Sequence, residues 1–129
     1  MLHLPGDHLG VVSFDASALL AQPLTGDAPT AKRAVDLLIP AASNSANIGA
    51  GIAAAQSELT GPRRTPSATP GMIVVSDGRD TAAPNGTSTL AAAAAKAAGI
   101  RIIALQYGSP ASALMQSIAS APADYYLVP

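Results

Sequence analysis

The sequence predicts an α/β fold: an open, Rossmann-like, mostly parallel sheet with helices on both faces. Three observations lead there. Short apolar runs alternate with segments whose apolar residues recur at helical spacing. The best-marked stretch, from Met72 to Leu105, runs strand, helix, strand, which defines a βαβ unit with a right-handed crossover. Third, 49% of the 129 residues are hydrophobic but only 3% are aromatic. The core is therefore built from Ala, Val, Ile and Leu, and alanine-rich helices can lie close against a sheet. The length fits one domain.

The elements follow in order. His8-Leu9-Gly10-Val11-Val12-Ser13-Phe14 is a short β-branched apolar run after Pro5-Gly6-Asp7, and reads as a buried strand. Ser17 to Gln22 is a weaker strand, which Asp15-Ala16 can join to the first as a hairpin. Thr30 has the character of an N-cap, followed by Ala34, Val35, Leu37 and Leu38, with Pro40 just past the end. A polar loop, Ser43 to Asn47, leads to a second stripe of Ile48, Ile52, Ala55 and Leu59, which Gly61-Pro62 stops.

Residues 61–70, with three prolines and Arg63-Arg64, read as a solvated surface loop. Met72 to Ser76 has the near-continuous apolar pattern of a parallel strand covered on both faces, and ends abruptly at Asp77-Gly78. Thr87 or Ser88 caps a helix through the alanine run to Ala98, with Gly99 at the C′ position. Ile100 to Leu105 is the next strand. Ser109-Pro110 opens a helix carrying Leu114, Met115 and Ile118, Pro122 ends it, and Tyr125 to Val128 is the last strand. There is no internal repeat.

Composition excludes several functions. A net charge of −1 leaves no basic field for nucleic acid and no basic amphipathic helix for a membrane surface. Cysteine is absent, so there are no disulfides and no thiolate metal site. No run is long enough to cross a membrane, and Met1 to Gly6 has neither the basic start nor the apolar core of a signal peptide. As read, the chain is soluble and carries no export signal of its own. His3 and His8 form no metal cluster, and neither an HExxH nor a GxSxG pattern occurs. Gly49-Ala50-Gly51 lacks the third glycine of a nucleotide loop and a strand leading into it. No catalytic residue is assigned.

In open α/β sheets ligands bind beyond the carboxyl ends of the strands. The candidates there are Asp15, Asp77 and the Ser43–Asn47 loop. Asp77 is the sharpest: a carboxylate directly after a buried strand, with Gly78 free to turn, is placed to meet a hard cation such as Mg²⁺ or to cap the following turn. Ser45 and Asn47 can face the same rim or simply cap the helix after them. Gly78-Arg79-Asp80 is a turn in which Asp80 can hold its own loop.

Five motifs in order resemble the bacterial von Willebrand factor A domain: Gly6 to Phe14, Asn47 to Ile52, Val74 to Asp80, Ala98 to Leu105, and Leu114 to Ala119 followed by Asp124-Tyr125-Tyr126. The resemblance implies a protein-interaction or adhesion module, not an enzyme, with a metal-ion-dependent adhesion site. That site uses an Asp-x-Ser-x-Ser motif after the first strand, a Thr from a later loop, and an Asp that maps to Asp77. The Thr position is Ala46 here, with Ser45 beside it, and the Asp-x-Ser-x-Ser motif is absent. Residues 1–129 are therefore expected to be a single partial domain, entered at the end of the first helix. Any bound Mg²⁺ or other divalent cation is expected to be held weakly. Without the usual central first strand, two strand edges are left unpaired, or the Val11 and Val74 strands pair directly. A protein partner is expected, with the missing strand donated by an absent segment or by another chain. Alternatives are a degenerate structural fragment of a larger protein and, with less support, a small-molecule enzyme. The resemblance also implies a secreted or membrane-anchored parent protein.

Overall fold

The computed structural model describes residues 6–38, 45–81, 86–108 and 110–129. Strands β1 (Leu9–Phe14) and β2 (Ala18–Thr25) form an antiparallel hairpin. Helices α1 (Ala28–Asp36) and α2 (Ile48–Leu59) follow. Strand β3 (Gly71–Ser76), helix α3 (Thr87–Ala97) and strand β4 (Arg101–Tyr107) make the expected crossover. A short helix α4 (Ala113–Ile118) and a 3₁₀ turn (Pro122–Asp124) lead to β5 (Tyr125–Val128). The α/β class with a parallel sheet is thus present. β3, β4 and β5 are parallel in that order, with Val74 opposite Ala104 and Ala104 opposite Tyr125.

Local chemistry sets the boundaries. Asp27, and not Thr30, is the N-cap of α1: its carboxylate accepts the Thr30 N–H at 3.2 Å, and the early Pro29 suits a first helical turn. Asn47 caps α2 by accepting from Ala50 N–H at 2.9 Å. Helix α3 starts after Gly86, whose φ of 81° makes the turn, so neither Thr87 nor Ser88 is its cap. Gly99 (φ 85°) ends α3 as predicted, with Ile100 N–H reaching the Ala95 carbonyl. Ser112 caps α4, so the last helix starts later than Pro110, because the Ser112 hydroxyl accepts the Met115 N–H there. Pro40, Ser43, Asn44 and Ser109 lie outside the described residues.

The core comprises Ile48 and Ile52 of α2, Val74, Ala92 and Ala95 of α3, Ile100, Ile102, Ala104, Met115 and Ile118. Two fully buried alanines on α3 allow the close helix–sheet approach. One expectation for β3 does not hold. Val74 and Ser76 are buried, but Ile73 and Val75 are 66% and 51% exposed. Successive residues of a strand face opposite sides: Val74 joins the core with residues of α3 and α4, whereas Ile73 and Val75 border the open cavity beside this sheet.

The hairpin and the three-stranded sheet remain separate. Among the described residues β1 pairs only with β2, and β3 pairs only with β4. Of the two arrangements expected without a central strand, unpaired edges are the one observed; Val11 and Val74 do not pair. Helix α2 packs on both sheets and joins them.

Candidate functional site

The carboxyl ends of β3 and β4 open on a cleft of about 390 Å³ lined by Asp77, Gly78, Arg79, Tyr107, Gly108 and residues 110–112. Gly78 makes this end possible. Its φ is 89°, and a Cβ there would lie 2.8 Å from Cβ of Ser112. The turn brings the chain back on itself, so Arg79 returns onto Asp77. Asp77 Oδ1 accepts the Arg79 backbone N–H at 3.0 Å, and Oδ2 accepts Nε at 2.8 Å with Nη2 at 2.7 Å. The guanidinium's hydrogen bond is the main cause that holds the Asp77 carboxyl below its ordinary value, and the backbone N–H adds to it. The Arg79 side chain is itself 69% exposed.

The far wall of the cleft is set by Gln106, which is buried at the end of β4. Its Oε1 accepts from Ser112 N–H at 2.9 Å and from the Tyr125 hydroxyl at 2.8 Å, while its Nε2 donates to the Pro110 carbonyl at 2.9 Å. Ser112 closes the ring by donating its hydroxyl to the Gly78 carbonyl at 3.2 Å. Sequence reasoning missed Gln106. An amide in an otherwise apolar strand, at a buried alternation position beside Ala104, was the available signal.

Asp80 does hold its loop. Its carboxylate accepts Ile48 N–H at 3.0 Å and the Ser88 hydroxyl at 2.6 Å, and Ser88 in turn accepts Gly49 N–H at 2.8 Å. The negative charge sits at the N-terminus of α2, where the helix dipole favours it. Gly49 is needed because a Cβ would lie 3.0 Å from the Ser88 backbone. Gly49 and Gly51 thus serve packing, against Ser88 and Phe14.

The remaining predicted positions divide. Ser45 and Ala46 border the same large cavity as Asp77 and Arg79. Asn47 does not border it: its side-chain oxygen is taken up by the α2 cap and its Nδ2 points to the Ala16 carbonyl at 3.4 Å, which favours the capping reading. Asp15 is a hairpin residue, with Oδ1 accepting Ser17 N–H at 3.0 Å and its carbonyl accepting Asn47 N–H at 2.6 Å. Arg63 is not merely solvated. It holds Glu58 through Nε at 2.6 Å and Nη2 at 2.9 Å, because Glu58 is only 9% exposed and needs a counter-charge.

The divalent cation that the resemblance implies fits this rim poorly. Among the described residues no three His, Cys, Asp or Glu side chains come together. Both Asp77 oxygens already accept hydrogen bonds from Arg79. A hard cation needs several placed oxygens and would have to displace the guanidinium.

The model of the von Willebrand factor type A domain matches residues 4–129. Solved structures agree in fold. Proximal thread matrix protein 1 from the mussel byssus superposes with a TM-score of 0.84 at 22% identity, over 96% of this chain and 33% of that one. A second structure of that protein has a zinc-occupied MIDAS motif (TM-score 0.79, 22% identity, 94% and 32% covered). The conserved hypothetical protein BatB from Bacteroides thetaiotaomicron matches with a TM-score of 0.78 at 22% identity, over 98% of this chain and 72% of that one. The pilus adhesin SpaC from Lactobacillus rhamnosus GG matches at 0.74 and 15% identity, over 94% and 22%. The chain spans about a third of the length of the mussel protein. No curated protein sequence matches it.

Proposed function

The chain belongs to the von Willebrand factor type A domain family, and from that premise we propose that it is a non-enzymatic protein-interaction module that binds its partner at the Asp77–Arg79 rim without a resident metal. The observation that carries this reading is the ion pair itself: Arg79 occupies the carboxylate that a cation would use. The rim also offers Tyr107, 53% exposed, beside Arg79 and the 390 Å³ cleft. Tyr and Arg are the side chains that most often anchor protein interfaces. We read residues 1–129 as one domain, since α2 packs on both sheets. Among the described residues no helix is long and apolar enough to cross a membrane. The likeness to the pilus adhesin supports an envelope or secreted setting for the parent protein.

Thermal melting in Mg²⁺ or Mn²⁺ tests the metal part. The expected result is no rise in Tm for the natural chain, and none for Asp77→Ala. A rise in the natural chain that Asp77→Ala removes would overturn it. The interaction part is tested by selecting displayed peptides against the chain in chelator. Binders should weaken about tenfold or more on Arg79→Ala or Tyr107→Ala, the loss of one interface anchor. Binders indifferent to both variants would refute the rim.

A further inference from the structure

The loop from Thr60 to Pro70 joins α2 to β3. It enters β3 at the amino end, about 20 Å from the rim at the carboxyl end, the length of six residues of strand. Residues 62–64 and 66–69 are exposed. Few bonds hold the backbone here. Arg64 N–H donates to the Gly61 carbonyl at 3.2 Å, and Ala68 N–H to the Thr65 carbonyl at 2.9 Å. Pro62, Pro66 and Pro70 have no N–H to donate. A protease must draw several residues out of the fold and into its cleft. That costs least in an exposed loop of small and polar residues, where few contacts break.

The chain has seven Lys and Arg residues, and all of them lie in described segments. Lys32 and Arg33 are within α1, and Lys96 is within α3. Arg101 is in β4, where it pairs with Gly71 and holds Asp124. Arg79 lies outside helix and strand, but Asp77 holds its N–H and its guanidinium, and Ser112 holds the Gly78 carbonyl before it. Arg63 and Arg64 are neighbours in the loop with opposite surroundings. Arg63 grips Glu58 with two hydrogen bonds. Arg64 is exposed and makes no ion pair among the described residues. The bond after Arg64 runs to Thr65 and not to a proline, and no described backbone carbonyl holds the Thr65 N–H.

We infer that the Arg64–Thr65 bond is a processing site for an arginine-specific, trypsin-like endoprotease, and that the cut chain stays together as a two-chain domain. Such an enzyme takes a free guanidinium into a pocket that carries a carboxylate. Arg64 can be given up without breaking an ion pair; Arg63 cannot, because its loss leaves the buried Glu58 without its counter-charge. Hydrolysis adds one water across the bond. The Arg64 carbonyl carbon takes the hydroxyl and becomes a carboxylate, the Thr65 nitrogen takes the proton and becomes an ammonium, and nothing is oxidised or reduced. The two halves share one core. Ile48 and Ile52 of the first are buried among Val74, Ala92 and Ala95 of the second. Asp80 and Ser88 of the second half accept the Ile48 and Gly49 N–H groups of the first. This inference rests on the loop and not on the rim, so it stands or falls apart from the reading of Asp77 and Arg79.

The test is limited digestion of the whole folded chain by trypsin, followed by intact mass and by gel filtration in native buffer. The expected first products are residues 1–64 and 65–129, which elute with the uncut chain and separate only in denaturant. Arg64→Gln should slow the first cut at least about tenfold, since a cut at any other basic residue needs a helix, a strand, a pinned turn or the Arg63–Glu58 pair to open. An endoprotease specific for lysine should leave the loop of the natural chain intact and cut it in Arg64→Lys, which separates recognition of this side chain from loosening of the fold. A first cut after any other residue, an unchanged rate in Arg64→Gln, or no cut until urea unfolds the chain would overturn the site. Halves that part in native buffer would overturn the two-chain product.

Discussion

Helix α2 approaches β1 so closely that a single methyl group should reverse the sign of a helix-propensity effect. A Cβ at Gly51 would lie 2.6, 3.0 and 3.2 Å from three ring atoms of Phe14. Ordinary carbon contacts lie at about 3.5–4.0 Å, so the ring must retreat by most of an ångström. Overpacking of this kind costs about 1–3 kcal/mol. Replacing glycine by alanine inside a helix returns about 1 kcal/mol. The Phe14 ring borders the large cavity of about 1100 Å³ and can give way toward it in part, which places the cost near the middle of that range, about 2 kcal/mol. Gly51→Ala should therefore destabilise the natural chain by about 1 kcal/mol, roughly 4 °C in Tm for a domain of this size. In a Phe14→Ala background the clash disappears and the same substitution should stabilise by about 1 kcal/mol, for a coupling near 2 kcal/mol. Urea unfolding of the four proteins measures each corner of the cycle. Stabilisation by Gly51→Ala in both backgrounds would show that α2 and β1 do not meet at this distance.

Other perturbations probe the charged and polar parts. Hydrogen bonding from Arg63 is the main cause that lowers the Glu58 carboxyl below its ordinary value of about 4.5, so the folded state holds this proton more weakly than the unfolded chain. The stability it supplies is present above that value and is lost as pH falls through the lowered folded value. Asp77 and Asp124, lowered by Arg79 and Arg101, act with the same sign. Glu58→Gln, which keeps an acceptor for Leu24 N–H, should thus show a smaller drop in Tm from pH 7 to pH 3 than the natural chain; an equal drop would contradict the ion pair's role. Gln106→Leu keeps the bulk but leaves Ser112 N–H and the Tyr125 hydroxyl without their acceptor, a loss of about 1–3 kcal/mol. It should speed exchange of the Ser112 amide, and unchanged exchange there would remove Gln106 from the rim's support.

Much of the fold was legible because its strongest signals are local. The Met72–Ser76 run, the Gly99 stop and the Ile100 strand depend on residues adjacent in sequence, and they are found where the pattern put them, within a residue or two. The caps were less legible because competing polar residues stand together. Asp27 and Thr30 both offer an oxygen, and Thr30 in fact donates its hydroxyl to Asp27. The apolar run of β3 did not reveal that Ile73 and Val75 face outward. Burial depends on what lies opposite, and nothing within a strand's own sequence encodes its neighbour.

At the rim, the position of Asp77 followed from strand order alone, but its partner did not. Asp77 and Arg79 are two residues apart, a spacing at which side chains of an extended chain would share one side without closing to 2.7 Å; the left-handed turn at Gly78 closes them. A charge pair flanking a glycine was the one available sign. The separation of the two sheets has an equally local cause. α2 is tied to β1 through Asn47 and Asp15, to the loop after β3 through Ile48 and Asp80, and to β2 through Glu58 and Leu24. These three anchors fix both sheets to one rigid helix. Bringing Val11 against Val74 would break at least one of them, and with Asp80 or Glu58 it would cost a carboxylate one of its donors. Direct pairing of the two edges is thereby disfavoured, and the two sheets stay apart.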